Sequence, residues 1–397
     1  MQKSIRIIGV GPGRTSLICP EAMAVIEKCD LLIGGQRNLQ PFNHLNKKTM
    51  VIDGQLDKVC EHIDSTNEKI AVLASGDPNI FSITEVLKRK LPHITFDILP
   101  GVSALQYFCA KIPRKWNDLK LVSCHGKAVE NVLSALMEER NIMVWTGGGV
   151  TPTAVCQALV ANGIGAKVTI GENLSYENER IVSGTPEEMA TLAFSGFALL
   201  LIEVIPNEHA WQAVTTGIPD HLFIRGKAPM TKQEVRAISL SKLMLKFDSL
   251  VWDIGAGTGS VAIECGLQAK RGQVYAIERN MEAVELITQN KRKFGAYNVN
   301  IITGIAPECL KDLPQPDCVF IGGSGGNMHA LLAMLDHHVR VVVNTVTIQS
   351  TYEAVTAMES LGFDNIDIVQ AAISIGKAVG GKHLMQAQNP IYIISGD

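Results

Sequence analysis

Short apolar runs of strand length alternate with segments of helix length from one end of this chain to the other, and no other feature restricts its fold as much. In the first half the runs are 5–9, 31–33, 70–74, 96–99, 121–123, 142–145, 167–170 and 198–205. In the second they are 249–254, 273–277, 299–303, 318–321 and 340–344, followed by a late pair at 366–372 and 390–395. Strands that run in the same direction need a crossover, usually a helix, so this alternation predicts mostly parallel sheet covered by helices. The late pair is expected to close the second sheet as an antiparallel hairpin. At 397 residues the chain exceeds one compact core. Its 46% hydrophobic residues, 5% aromatics and 35 glycines suit an α/β protein whose layers are filled by aliphatic side chains.

Between residues 206 and 223 the strand pattern lapses, and Gly217-Ile218-Pro219-Asp220 carries a turn signature. The expected division is therefore 1–206 and 223–397, with 207–222 as linker. Beyond it, Thr231-Lys232-Gln233-Glu234 has the spacing of a capping box and predicts a helix over 232–245. The halves show no alignable repeat and read as unrelated modules.

With 36 basic and 39 acidic side chains spread along the chain, the net charge of −3 offers no field to gather phosphate backbones, so nucleic acid is not an expected partner. Nine scattered cysteines form no C-x-x-C pair and no zinc-ligand spacing with histidine, which predicts reduced thiols and no metal. The chain runs straight into an apolar strand without a secretory pattern, and its longest apolar run is interrupted by Glu203, far short of the roughly 20 residues that span a bilayer. A soluble cytoplasmic enzyme with no membrane partner is expected.

The richest local signal is Val251-Trp252-Asp253-Ile254-Gly255-Ala256-Gly257-Thr258-Gly259-Ser260, a strand entering a glycine turn and then an apolar helix. Glycine lets backbone approach a ligand, and free amides at the helix start favour polar groups there. Glu278 ends the next strand, where a carboxylate can accept hydrogen bonds from both ribose hydroxyls. A dinucleotide site would space its third glycine differently, and Asp253 would repel a pyrophosphate while accepting the ammonium of a methionine tail. The set favours S-adenosylmethionine over NAD, with Gly255, Gly257, Gly259, Asp253 and Glu278 around the nucleoside. Gly304 and Ala306, in Gly304-Ile305-Ala306-Pro307-Glu308 after the third strand, are placed against the adenine, an ordinary turn being the alternative.

This segment resembles the seven-stranded class I methyltransferases. The stretch Ile224-Arg225-Gly226-Lys227-Ala228-Pro229-Met230-Thr231-Lys232-Gln233-Glu234-Val235-Arg236, with Phe320-Ile321-Gly322-Gly323-Ser324-Gly325-Gly326, is similar to their decarboxylating precorrin methylase subgroup. Beside a cofactor pocket, Arg225 and Lys227 suit a clamp for substrate carboxylates, and Thr231 and Asn344 join them as substrate-binding candidates. A solvated basic turn, a capped helix start and a polar strand end are the plain alternatives.

In the first half, Ile7-Ile8-Gly9-Val10-Gly11-Pro12-Gly13 follows the opening strand, but Pro12 removes an amide that a phosphate cradle would use. Ser75-Gly76-Asp77-Pro78, Pro100-Gly101-Val102-Ser103 and Cys124-His125-Gly126-Lys127 each follow a strand, at the edge where open α/β sheets bind ligands. In this order, and with Gly171-Glu172-Asn173-Leu174-Ser175-Tyr176-Glu177-Asn178-Glu179-Arg180, they resemble the tetrapyrrole methylase family. That likeness implies two α/β lobes with the cofactor against Gly76, Asp77, Pro78, Pro100, Gly101, Val102 and Ser103, and a macrocycle facing Gly9, Gly11 and Gly13. His125 is read as a core or surface residue and not as a proton carrier.

The fold implied is thus a two-lobed tetrapyrrole methylase fold followed by a Rossmann-like class I methyltransferase fold. The paired likenesses imply S-adenosylmethionine-dependent methylation of a precorrin, with or without cobalt, at two bridge carbons, with loss of carbon dioxide from an acetate side chain, in cobalamin synthesis. One methylation falls to the N-terminal module, and the other, with the decarboxylation, to the C-terminal one. Alignment of an activated methyl group needs no strong base, so no catalytic residue is singled out. A homo-oligomer is implied by both families. A methyltransferase acting on RNA and an NAD-dependent oxidoreductase are the competing readings.

Overall fold

The computed structural model describes residues 4–397 except 53, 55, 127, 207–210, 212 and 337. Lys127 of the third loop motif, and 207–210 and 212 of the expected linker, lie outside the described residues. The protein is α/β with parallel-rich sheets. It falls into two compact units, one holding most of the chain up to Val204, the other Ile205–Asp397 with the short segments Leu133–Arg140 and Asn162–Ile164.

In the first unit, β1 (Ser4–Gly9), β2 (Leu31–Gly34), β3 (Lys48–Val51), β4 (Ile70–Ala74) and β5 (Thr95–Leu99) form a sheet in the order β3-β2-β4-β1-β5, parallel at every pairing. Along β1, Ile5 and Ile7 enter one buried cluster and Ile8 another, the two-faced burial that a helix-covered parallel sheet requires. A second sheet, β6 (Lys120–Ser123), β7 (Asn141–Trp145), β8 (Ala166–Glu172), β9 (Arg180–Gly184) and β10 (Ala198–Val204), has the order β6-β7-β10-β8-β9. Here the expectation of mostly parallel sheet fails. Only β6 and β7 run parallel; β10 lies antiparallel between β7 and β8, and β9 antiparallel beside β8. No long helix separates β8, β9 and β10, and antiparallel returns need none.

The second unit contains β11 (Leu250–Ile254), β12 (Gln273–Glu278), β13 (Val299–Thr303), β14 (Cys318–Ile321), β15 (Arg340–Thr345), β16 (Asp367–Ala371), β17 (Ser374–Val379), β18 (Lys382–Ala387) and β19 (Ile391–Gly396). Seven of them form the sheet β13-β12-β11-β14-β15-β19-β16, parallel except for β19, which is antiparallel to both of its neighbours. The late pair β16 and β19 is antiparallel as read, but it is not a simple hairpin. Its connection holds a separate exposed ribbon, β17 against β18, turning at Gly380-Gly381 with both φ positive, as a two-residue hairpin loop demands.

Buried charge in this unit is handled in two ways. Arg236 and Glu264 are 0% and 2% exposed, and Arg236 Nε donates to Glu264 Oε1 at 2.5 Å. Glu264 also accepts from the amides of Gly217 (2.6 Å) and Ile218 (2.9 Å), while Arg236 donates to the carbonyls of Ile218 and Thr231 and to Asp220. The capping box expected at Thr231 does not form. The helix Gln233–Leu243 is capped at Lys232 with no side-chain cap bond, one residue too late for the threonine hydroxyl, and the Thr231 carbonyl serves Arg236 instead.

Asp253 lies on the same sheet face as Val251 and is 1% exposed. Its Oδ2 accepts from Ala262 N at 2.8 Å, and Oδ1 has no partner among the described residues. Burial pushes its carboxyl up to about 7; the Ala262 amide opposes that rise and the nearby Glu278 charge adds to it.

Arg236→Met leaves the buried Glu264 carboxylate with two amide donors and no countercharge and is expected to cost about 3–5 kcal/mol, read from denaturant unfolding followed by near-ultraviolet circular dichroism. Asp253 behaves differently. An unfolded aspartate releases its proton near ~3.9, so the stabilisation from neutral Asp253 is complete below that pH and is lost as pH rises through about 7. Asp253→Asn keeps an acceptor for Ala262 without titrating, so its stability relative to wild type climbs across that window; parallel urea-midpoint curves would refute this.

Candidate functional sites

After Ile254 the chain turns through Gly255, Gly257 and Gly259, at φ 76°, 57° and 77°, into the helix Ser260–Gln268. The left-handed backbone is open to glycine at no steric cost, and the surroundings leave no room for more. A Cβ on Gly257 would stand 2.4 Å from the Pro229 carbonyl oxygen, and one on Gly255 3.0 Å from the Gly323 nitrogen. Backbone from three segments thereby meets around a cavity of about 410 Å³ that collects Lys227, Gly255, Gly257, Glu278, Gly304 and Ala306.

Glu278 is fixed before any ligand arrives. Its Oε2 accepts from Gly257 N at 2.9 Å, and its Oε1 from Arg279 N and Asn280 N at 2.8 and 2.9 Å. A carboxylate offers about four acceptor positions, so one remains for a hydroxyl in the cavity. In the same lining, a Cβ on Gly323 or Gly325 would meet nothing within 4 Å, which leaves room there for a flat ring. A fixed carboxylate and bare glycine backbone in one lining fit a nucleoside.

Five residues expected at this site do not line the cavity. Asp253 is buried behind the turn and tied to Ala262, Gly259 packs against Ile287 of the helix Met281–Phe294, and the Asn344 amide is held by Ser239 Oγ at 2.9 and 3.1 Å. Arg225 is exposed outside the lining, and Thr231 serves Arg236. The loop after β14 carries a likeness in sequence but no sign there of a wall. Gly322, Gly323, Ser324, Gly325 and Asn327 form one, brought there by the pairing of β11 with β14.

The first unit has a cavity of about 450 Å³. Of the expected residues it gathers Gly76, Asp77 and Ser103. Asp77 ties two loops together, accepting from Asn79 N at 2.8 Å and Gly101 N at 3.3 Å. Ser103 caps the helix Ala104–Lys111 in a reciprocal box with Gln106. Gly9 and Gly101 line nothing here: a Cβ on Gly9 would lie 2.5 Å from Gly101 N, and one on Gly101 2.4 Å from Gly76 O, so these glycines let loop backbones stack. Pro78, Pro100 and Val102 stand outside the lining too. Gly11 pairs with Gly76 through backbone hydrogen bonds and borders, with Gly13, a small recess beside Tyr176.

The sequence reading missed most of the first cavity's side chains. Phe81, at a left-handed φ of 45°, stands edge-on to Trp145 at 5.1 Å, and Arg37 lies over the Tyr176 ring at 4.7 Å. His125 stacks on Phe197, at 6.0 Å between centroids, and does not line the cavity. Among the described residues no disulfide joins any of the nine cysteines, and no three His, Cys, Asp or Glu side chains gather as metal ligands. No helix among them is long and apolar enough to cross a membrane.

Comparison with known proteins matches both halves. Residues 4–190 match the tetrapyrrole (corrin/porphyrin) methylase family model and residues 222–396 the precorrin methyltransferase domain model. A relative from Sinorhizobium sp, named precorrin-6Y C(5,15)-methyltransferase (decarboxylating), is 29% identical over 96% of this chain and 94% of its own. A Saccharolobus solfataricus protein named probable cobalt-precorrin-6B C(15)-methyltransferase (decarboxylating) is 37% identical over 47% of this chain and 98% of its own. A crystal structure described as precorrin-6y C5,15-methyltransferase from Geobacter metallireducens GS-15 is 39% identical, covering 46% of this chain and 97% of that one, with a TM-score of 0.44. Matched in both halves and along nearly its whole length, the chain belongs to the decarboxylating precorrin C5,15-methyltransferases, in which a tetrapyrrole methylase module precedes a precorrin methyltransferase domain.

Proposed function

We propose that this enzyme methylates precorrin-6Y, or its cobalt form, at carbons 5 and 15 and removes carbon dioxide from the ring C acetate side chain, with S-adenosylmethionine as methyl donor in both units. The observation that carries this reading is a glycine-walled cavity at the carboxyl ends of parallel strands in each unit, within a chain that aligns along 96% of its length with a relative of that name. In fold terms, the first unit is a two-lobed tetrapyrrole methylase and the second a Rossmann-like class I methyltransferase. The working division is 1–206 and 223–397, with the end of the 207–222 joint fastened to the second unit through Glu264. Carbon 5 is assigned to the first unit; carbon 15 and the decarboxylation are assigned to the second. The enzyme is taken to act in the cytoplasm, as a homo-oligomer, on a small tetrapyrrole rather than on nucleic acid or at a membrane.

When bound, S-adenosylmethionine supplies an activated methyl group for an electron-rich bridge carbon, so the protein's task is alignment. In the second unit Glu278 would hold the ribose, Gly304 and Ala306 would flank the base, and Lys227 would meet a substrate carboxylate. Decarboxylation leaves charge that the conjugated ring absorbs, and that cationic side chain orients the remaining carboxylates. In the first unit the loops at Gly76-Asp77 and Ser103 would seat the nucleoside.

Incubation with S-adenosylmethionine and precorrin-6Y is expected to give a product that has gained two methyl groups and lost one carbon dioxide by mass spectrometry; unaltered tetrapyrrole would refute the function. Calorimetry with S-adenosylhomocysteine should find two sites in the wild type. In Glu278→Ala one of them should weaken by about 10- to 100-fold, since a hydrogen bond to a charged group is worth roughly 1.5–3 kcal/mol.

A further inference from the structure

The first cavity carries an unspent positive charge. Among its described lining residues Arg37 is the one cation and Asp77 the one anion, and Asp77 already accepts two backbone amides. Arg37 follows β2 in the short helix Gln36–Leu39. Its guanidinium lies 4.7 Å over the Tyr176 ring, and Nη2 donates to Asn173 Oδ1 at 3.4 Å. None of the ion pairs among the described residues involves it. Stacking on an aromatic face restrains the guanidinium while most of its five donors stay free, the arrangement that receives a carboxylate through two parallel hydrogen bonds. The rest of the lining is largely apolar, with Phe81, Trp145, Leu174 and Leu199 suited to the face of a large flat ring.

We infer that Arg37, seated on Tyr176 and Asn173, is the specificity-determining residue of the first unit, binding a carboxylate side chain of the tetrapyrrole and so setting which bridge carbon faces the methyl donor. The assignment rests on the function proposed above and adds a substrate contact that the glycine loops do not provide. An unpaired cation would repel a sulfonium in the same cavity. A substrate carboxylate between them removes that repulsion and ties productive cofactor binding to the presence of the acidic macrocycle.

The test is steady-state kinetics on the full chain with precorrin-6Y and S-adenosylmethionine, reading methyl gain at carbon 5 separately from methyl gain with carbon dioxide loss at carbon 15. Arg37→Met is expected to raise KM for the tetrapyrrole in the carbon-5 step about tenfold, with S-adenosylhomocysteine affinity unchanged as the sign of an intact cavity. Arg37→Lys should recover part of the loss, because an ammonium restores the charge without the fork. An unchanged KM in a wild type competent at both carbons overturns the assignment. Weakened S-adenosylhomocysteine binding also overturns it, since Arg37 would then belong to the nucleoside's own carboxylate. A wild type that alters neither carbon overturns the functional reading, and this assignment with it.

Discussion

At the carboxyl ends of the parallel strands, loop backbone lies against loop backbone with no side chain between. Gly255 faces Gly323 and Gly257 faces the Pro229 carbonyl in one unit, while Gly9, Gly76 and Gly101 are stacked in the other. Both cavities depend on this approach, because a methyl group on Gly9, Gly101, Gly255 or Gly257 would stand 2.5, 2.4, 3.0 or 2.4 Å from the backbone it faces and push apart the segments that form their walls. It also explains why so many glycines that look like ligand contacts in sequence are not in the lining. They hold the loops together, and their neighbours face the space.

Charge around the cavities is organised by the same backbone. Glu278 and Asp77 are each pinned by amides of adjoining loops, which fixes their oxygens before any ligand binds and leaves little reorganisation to be done on binding. Asp253 has only one amide for two buried oxygens and keeps its proton to unusually high pH. Glu264 is buried as deeply but is surrounded by donors. Glu278 and Glu264 receive three donors each, so a ligand-facing carboxylate differs from a structural one in opening onto a cavity: Glu278 lines one, whereas Glu264 is 2% exposed.

Strands with two buried faces were legible to the residue: 70–74 and 318–321 coincide with β4 and β14. The strands that escaped are β3 and β9 at sheet edges and the exposed ribbon β17–β18, whose sequences carry no apolar signature because little of them is buried. In the second unit, Gly255, Gly257 and Glu278 could be read because a strand, its turn and the next strand's end are close in sequence. Arg37, Phe81, Trp145 and Tyr176 could not, since they come from four separated segments and only folding brings them to one cavity. Thr231 shows the limit of spacing rules, where a shift of one residue in the helix start moved its role from cap to carbonyl acceptor.

The grip of Glu264 on the amides of Gly217 and Ile218 determines where the polypeptide can be parted. Severed at the start of the precorrin methyltransferase match, near residue 222, the C-terminal fragment would lose both amides along with the Ile218 carbonyl that Arg236 needs, and an acid sunk in hydrocarbon would be left short of donors. Severed ahead of Gly217, the fragment keeps its own plug. Dissection of the two activities into freestanding proteins is therefore governed by a few residues that, to a reader of the sequence, belong to neither module.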